Sequence, residues 1–107
     1  MVITLFRSRL RPGDPTEYAR WAKRMLELGS QMPGFVSFKT FAADDGERIS
    51  VVEFASETEH AAWRDHPEHR EAQRLGRERV YAEFEVVVCA PVRRTPFSLA
   101  GRPPAED

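Results

Sequence analysis

A single cysteine, Cys89, stands in a chain of 107 residues. That excludes an internal disulfide and any cysteine-built metal centre, and it fits a reducing compartment. Near a strand end such a residue is expected to serve as a small buried apolar group. Long apolar runs are missing too, and the opening MVITLFRSRL lacks the basic region, apolar stretch and cleavage site of a secretory signal. No membrane span is expected, and the location is expected to be cytoplasmic. The third absence is charge of one sign: 16 basic residues against 17 acidic leave a formal net charge of -1. No overall positive field draws in a phosphate backbone or an anionic bilayer, so neither nucleic acid nor membrane is an expected partner. What remains, 41% hydrophobic residues in so short a chain, suits one domain with a small core that a second subunit would extend.

Residues 2–10, VITLFRSRL, are β-branched and aromatic with polar residues on alternate positions, the pattern of a strand. RPGDP turns the chain. Asp14, Pro15 and Glu17 resemble a capping box with proline at the first helical position. Tyr18, Trp21, Ala22, Met25 and Leu28 then recur at spacings of three and four, which predicts an amphipathic helix over about 15–31. MPGF ends it, FVSFKTFA reads as a second strand, and DDGE at 44–47 supplies a hairpin turn into a third, RISVVEFA. Ser56 with Glu59 makes another capping box, and Pro67 marks a helical restart that reaches about Arg79. VYAEFEVVVCA closes as a long alternating strand.

The order β, α, β, β, α, β predicts an α+β, ferredoxin-like domain with helices on one face of a four-stranded antiparallel sheet. Strict alternation puts Phe35 and Phe41 on one side of the second strand and Val36 and Phe38 on the other. The last strand then has Phe84, Val86 and Val88 opposite Tyr81 and Val87. Both faces are partly apolar, which predicts a homodimer with sheets face to face. Residues 91–107 hold four of the eight prolines, so the domain is expected over 1–92. A Pro-rich tail over 93–107 would be disordered, or packed on the partner through Phe97 and Leu99.

The candidate chemistry lies in WRDHPEHREAQ, residues 63–73. HPE has the two-ligand spacing of non-haem iron sites, but that spacing works on strands; on a helix the two positions stand about 200° apart. His60, His66 and His69 therefore do not predict a metal site. Trp63, His66, His69 and Gln73 follow at three and four residues and line one side of a near-continuous helix, with Ala72, Leu75 and Gly76 leaving room against the sheet. A histidine there, with an ordinary pKa of about 6.5, suits a base that deprotonates a phenolic or enolic substrate. The plainer alternative has His66 capping the helix before Pro67 and His69 packing or meeting solvent. Arg7, Lys39, Glu53 and Glu85 are equally well explained as cross-strand ion pairs. GFVSF at 34–38 has some likeness to an aromatic RNA-binding strand, but it falls on the wrong strand of this order.

MPGFVSFKTF, VVEFASETEHAAWRDHPEHREAQ and YAEFEVVV together resemble the antibiotic biosynthesis monooxygenase (ABM) domain family over about residues 1–92. The resemblance implies homodimers whose sheets pack into a dimeric α/β barrel. Some members are cofactor-independent monooxygenases that oxidise polycyclic phenols or anthrones to quinones; others degrade haem, modify small signalling molecules or have no known activity. It implies Trp63 as the pocket tryptophan, donating its indole N–H to a substrate or peroxide oxygen, and His66 or His69 as the base. Arg7 and Tyr81 would orient a phenolate, and Gln73, which helical spacing puts on the same side as Trp63, is the third candidate for contacting the substrate. The haem-degrading branch fits less well, because it carries an asparagine on the first strand, where this chain has LFRSR, and a histidine about ten residues after the tryptophan, where this chain has Gln73. The leading expectation is oxidation of an aromatic, polyketide-like molecule by O2 with no cofactor or metal. A non-catalytic small-molecule-binding or stress-related protein of the same fold is the alternative.

Overall fold

A computed structural model describes residues 1–100. The chain runs β1 (Val2–Leu10), α1 (Thr16–Ser30), β2 (Phe35–Ala42), β3 (Arg48–Phe54), α2 (Glu57–Arg64), α3 (Pro67–Leu75), a π-helical turn (Gly76–Val80) and β4 (Tyr81–Cys89). The four strands form one antiparallel sheet in the order β2-β3-β1-β4. This is the ferredoxin-like α+β arrangement expected from the sequence.

Local chemistry explains most boundaries. Ser56 Oγ accepts the N–H of Glu59 at 3.2 Å, the N-cap half of the predicted box for α2, while the Glu59 carboxylate accepts from the Ser56 hydroxyl at 3.0 Å. The other box does not form: α1 has no side-chain cap, and Asp14 Oδ1 instead accepts both the N–H and the hydroxyl of Thr16. Proline fixes the backbone before Thr16, so Asp14 closes a tight Asx turn rather than reaching further along the helix. Gly34, at φ +79, occupies the left-handed region, and the Glu59 carboxylate sits where a Cβ would be. At the other end of the molecule Arg11 donates to the carbonyls of Arg77, Glu78 and Tyr81, which ties the π turn to the end of β1.

Two bulges correct the predicted alternation. In β2 the register with β3 passes from Phe35↔Phe54 to Ser37↔Glu53, so Val36 is an extra residue. Phe35 and Phe38 thereby share the helix-facing side, while Val36 and Phe41 are exposed. In β4 the pairing with β1 passes from Arg9↔Glu83 to Leu10↔Tyr81, so Ala82 is an extra residue, and Tyr81 ends on the same side as Phe84, touching both Phe84 and Phe6. Under the helices the core is Val2, Met25, Leu28, Val52, Phe54 and Trp63. Phe54 is fully enclosed, so its truncation to alanine would cost about 3–5 kcal/mol.

The opposite face carries Ile3, Leu5 and Arg7 of β1 beside Ile49 and Val51 of β3 and Val87 of β4, and no helix of the described residues lies over it. Cys89 is exposed there rather than buried, because β4 is the edge strand; its thiol donates to the carbonyl of Ile3. Residues 93–100 form no helix or strand. Arg94 bonds Glu53 and Met1, whereas Phe97 and Leu99 are exposed. The rest of the expected tail, 101–107, lies outside the described residues.

Candidate functional site

Between sheet and helices lies a cavity of about 410 Å³, within the range of ligand pockets, roughly 300–1,000 Å³. Its floor is Thr4, Phe6 and Ser8 of β1 with Phe38, Thr40, Ser50 and Val52. Its roof comes from Tyr18, Trp21, Ala22 and Met25 of α1, His60 and Trp63 of α2, and His69, Ala72 and Gln73 of α3. Phe84, Val86 and Val88 of β4 form the side, and all three are partly exposed, so the cavity is open along that edge. Among the described residues that line it there is no carboxylate and no lysine; Arg64 and Arg77 are the cations.

Helical spacing brings Trp63 and His69 together despite the break at Pro67. Their ring centroids are 4.3 Å apart at 70°, an edge-to-face contact. Trp63 is also stacked on Phe54 at 5.6 Å and meets Phe38 edge-on. Its indole N–H is buried with no partner among the described residues, and it is pressed toward α1: a Cβ on Gly29 would stand 3.2 Å from Nε1. Glycine at 29 is thus what lets the indole settle against the helix backbone.

His69 and Gln73 form a pair, with the Gln73 amide nitrogen 2.9 Å from His69 Nδ1. An amide nitrogen only donates, so Nδ1 accepts and the ring proton sits on Nε2. Turning the amide over reverses this, leaving Nδ1–H bonded to the amide oxygen and a bare Nε2. Burial, helped by His60, pulls the His69 pKa down to about 4, which keeps the imidazole neutral at pH 7. Tyr81 lines the far end against Phe6, Tyr18 and Phe84. Its phenol is pushed upward by burial first and by Tyr18 second, so it stays protonated.

Two of the proposed site residues stand elsewhere. His66 caps α3: its Nδ1 accepts the N–H of Glu68 at 3.1 Å, and Pro67 takes the first helical position. It does not line the cavity, because the extended backbone that lets it cap turns its ring away from the roof. Arg7 lies on the opposite face of the sheet, where it grips both carboxylate oxygens of Glu47 in the hairpin turn. The side-chain period of two forbids it from reaching the cavity. Trp63, His69, Gln73 and Tyr81 do converge.

The sequence pointed to His60 only as a metal candidate and passed over Thr4 altogether. His60 is 3% exposed and Thr4 is 6% exposed, and His60 Nε2 lies 2.7 Å from Thr4 Oγ1. His60 Nδ1 and Trp21 Nε1 have no hydrogen-bond partner among the described residues. The signal was present, since His60 precedes Trp63 by one helical turn and so shares its face.

Four antiparallel strands under helices, with an aromatic cavity between the layers, define a ferredoxin-like α+β protein with a ligand-sized pocket. Residues 1–75 match the sequence model of the antibiotic biosynthesis monooxygenase (ABM) family, and the chain belongs to that family. It is 31% identical over 90 residues to YqjZ, an uncharacterised protein of Bacillus subtilis, spanning 84% of this chain and 79% of that one. Its fold is similar to that of Rv0793 from Mycobacterium tuberculosis, with a TM-score of 0.78 at 19% identity, covering 89% of this chain and 98% of the other. It is also similar to SnoaB, a cofactor-independent oxygenase from Streptomyces nogalater. There the TM-score is 0.75 at 15% identity, over 90% and 97% of the two chains.

Proposed function

We propose that this protein is a cofactor-independent monooxygenase that oxidises a phenol- or anthrone-type aromatic molecule with O2. The observation that carries the reading is the cavity itself. It is walled by aromatic rings, free of carboxylate and lysine among its described lining residues, and holds a neutral histidine in edge contact with a tryptophan. Such a place favours a flat apolar ligand, which on binding displaces water from the rings around it.

An anthrone has an acidic CH2 across its central ring from the carbonyl, conjugated to it through the flanking aromatic rings. With the Gln73 amide oxygen facing Nδ1, His69 Nε2 takes one of those protons, leaving a carbanion delocalised onto oxygen. The carbanion gives its electron pair to O2, forming a carbon-bound peroxide that takes up a proton. Loss of water leaves a carbonyl, so one oxygen atom ends in the quinone and the other in water. Tyr81, held protonated, donates to the developing oxyanion. No metal or cofactor is needed, and His66 and Arg7 take no part in these steps.

Domain and assembly belong to the same proposal. The ABM unit spans 1–92, with 93–107 as a tail. A second copy of the chain covers the bare face of Ile3, Leu5, Ile49, Val51 and Val87, making a dimeric α/β barrel in the cytoplasm.

Oxygen uptake and quinone colour with anthrone as substrate test the activity. Wild type is expected to exceed the uncatalysed rate, and His69→Ala to lower kcat by about 10²-fold or more, with His66→Ala near wild type. Equal rates for wild type and His69→Ala would remove the base assignment. A rate at background with tight ligand binding would favour the binding-protein alternative for that substrate class.

A further inference from the structure

A hydroxyl and an imidazole buried together in an apolar layer call for a reason. Val52 and Val88 flank Thr4 in the sheet, and Phe54 and Trp63 flank His60. A leucine–valine pair would fill the same space without desolvating three polar atoms, each worth about 1–3 kcal/mol when left unpaired. Burial first, and Arg64 second, lower the His60 pKa, so the ring is neutral. A neutral imidazole has one N–H and one lone pair, and the Thr4 hydroxyl has one proton and two lone pairs. The 2.7 Å contact between them uses one donor and one acceptor, and Thr4 keeps a free function on the cavity side of β1.

We infer that the Thr4–His60 pair is the polar anchor of the cavity, a positioning pair that binds one ligand oxygen as either a hydroxyl or a carbonyl. This rests on the proposed aromatic oxidation at the same cavity. When His60 carries its proton on Nδ1, Thr4 donates to Nε2 and its oxygen accepts from a ligand O–H. When the proton is on Nε2, that N–H donates to Thr4 Oγ1 and the threonine proton is free for a ligand C=O. The two arrangements differ only in a tautomer and a hydroxyl rotation. Among the described residues no group partners Nδ1 in either arrangement, so no protein hydrogen bond there fixes the tautomer. The ligand does, and a phenol and the carbonyl compound formed from it are held in one place.

Titrated in the absence of O2, so that no oxidation follows binding, two probes with one carbon skeleton separate the cases: 1-naphthol, which offers an O–H, and 1-tetralone, which offers only a carbonyl. Calorimetry is expected to give similar affinities for both in the wild type. Thr4→Val, which keeps shape and strand preference, should weaken both by about five- to ten-fold, the worth of one net hydrogen bond, and Thr4→Ser should restore them. Nitrogen-15 shifts of His60 should place the ring proton on Nδ1 with 1-naphthol and on Nε2 with 1-tetralone, a change that a purely structural histidine would not show. Wild-type affinity in a folded Thr4→Val, or the same tautomer with both probes, overturns the anchor while anthrone oxidation by the wild type still stands. Failure of the wild type to bind either probe overturns both readings.

Discussion

His69 binds its proton near pH 4 in the folded chain, whereas an unfolded histidine does so near 6.5. Between those values the unfolded chain holds more protons, so the unfolding free energy rises with pH across that window and is flat outside it for this group. Denaturant titrations should therefore show wild type losing about 2–3 kcal/mol on going from pH 7 to pH 4 through His69. His69→Leu should lose markedly less, and equal losses would mean that the ring is not desolvated. Trp63, His69 and Gln73 were legible together because three- and four-residue spacings survive a short helical break. The division of labour between His66 and His69 was not, since both match that spacing. It is decided by backbone: His66 is extended and hydrogen-bonded to Glu68, which commits its ring before any ligand arrives. His60 was hidden because three histidines in ten residues draw attention to metals, while its partner Thr4 lies 56 positions away.

At the level of elements, helix starts depend on single side chains. Ser56→Ala removes the only side-chain cap of α2 and should lower stability by about 1 kcal/mol in thermal unfolding. Because α2 also carries His60 and Trp63, the same change should weaken ligand binding, whereas loss of the exposed Arg74–Glu71 pair should do neither measurably. Strand positions were legible almost residue by residue, but their faces were not. Alternation is a local rule, and one inserted residue reverses it from that point on. Val36 in β2 and Ala82 in β4 each do this, moving Phe35 and Tyr81 to the helix side. Nothing in the composition of either strand marks a bulge, since both residues fit an extended chain.

For the whole molecule, the proposed dimer rests on a sheet face that no helix covers among the described residues, where Ile3, Leu5, Ile49, Val51 and Val87 lie among Arg7, Lys39, Glu53 and Glu85. Val51 lies at the centre of that face, paired with Leu5 and Lys39. Sedimentation at micromolar concentration should find a dimer for the wild type and a monomer for Val51→Asp, because a carboxylate buried there without a partner is strongly unfavourable. A monomeric wild type would refute the assembly. The cavity, by contrast, is built from one chain and opens sideways past Phe84, Val86 and Val88. That side opening means the size of the ligand is not set by the volume of the cavity. For the proposed aromatic substrate, only the ring end need enter, while a sugar, an acyl chain or a carrier attached to it would stay outside beside β4. The same opening would let the protein be captured on a resin bearing a tethered aromatic group.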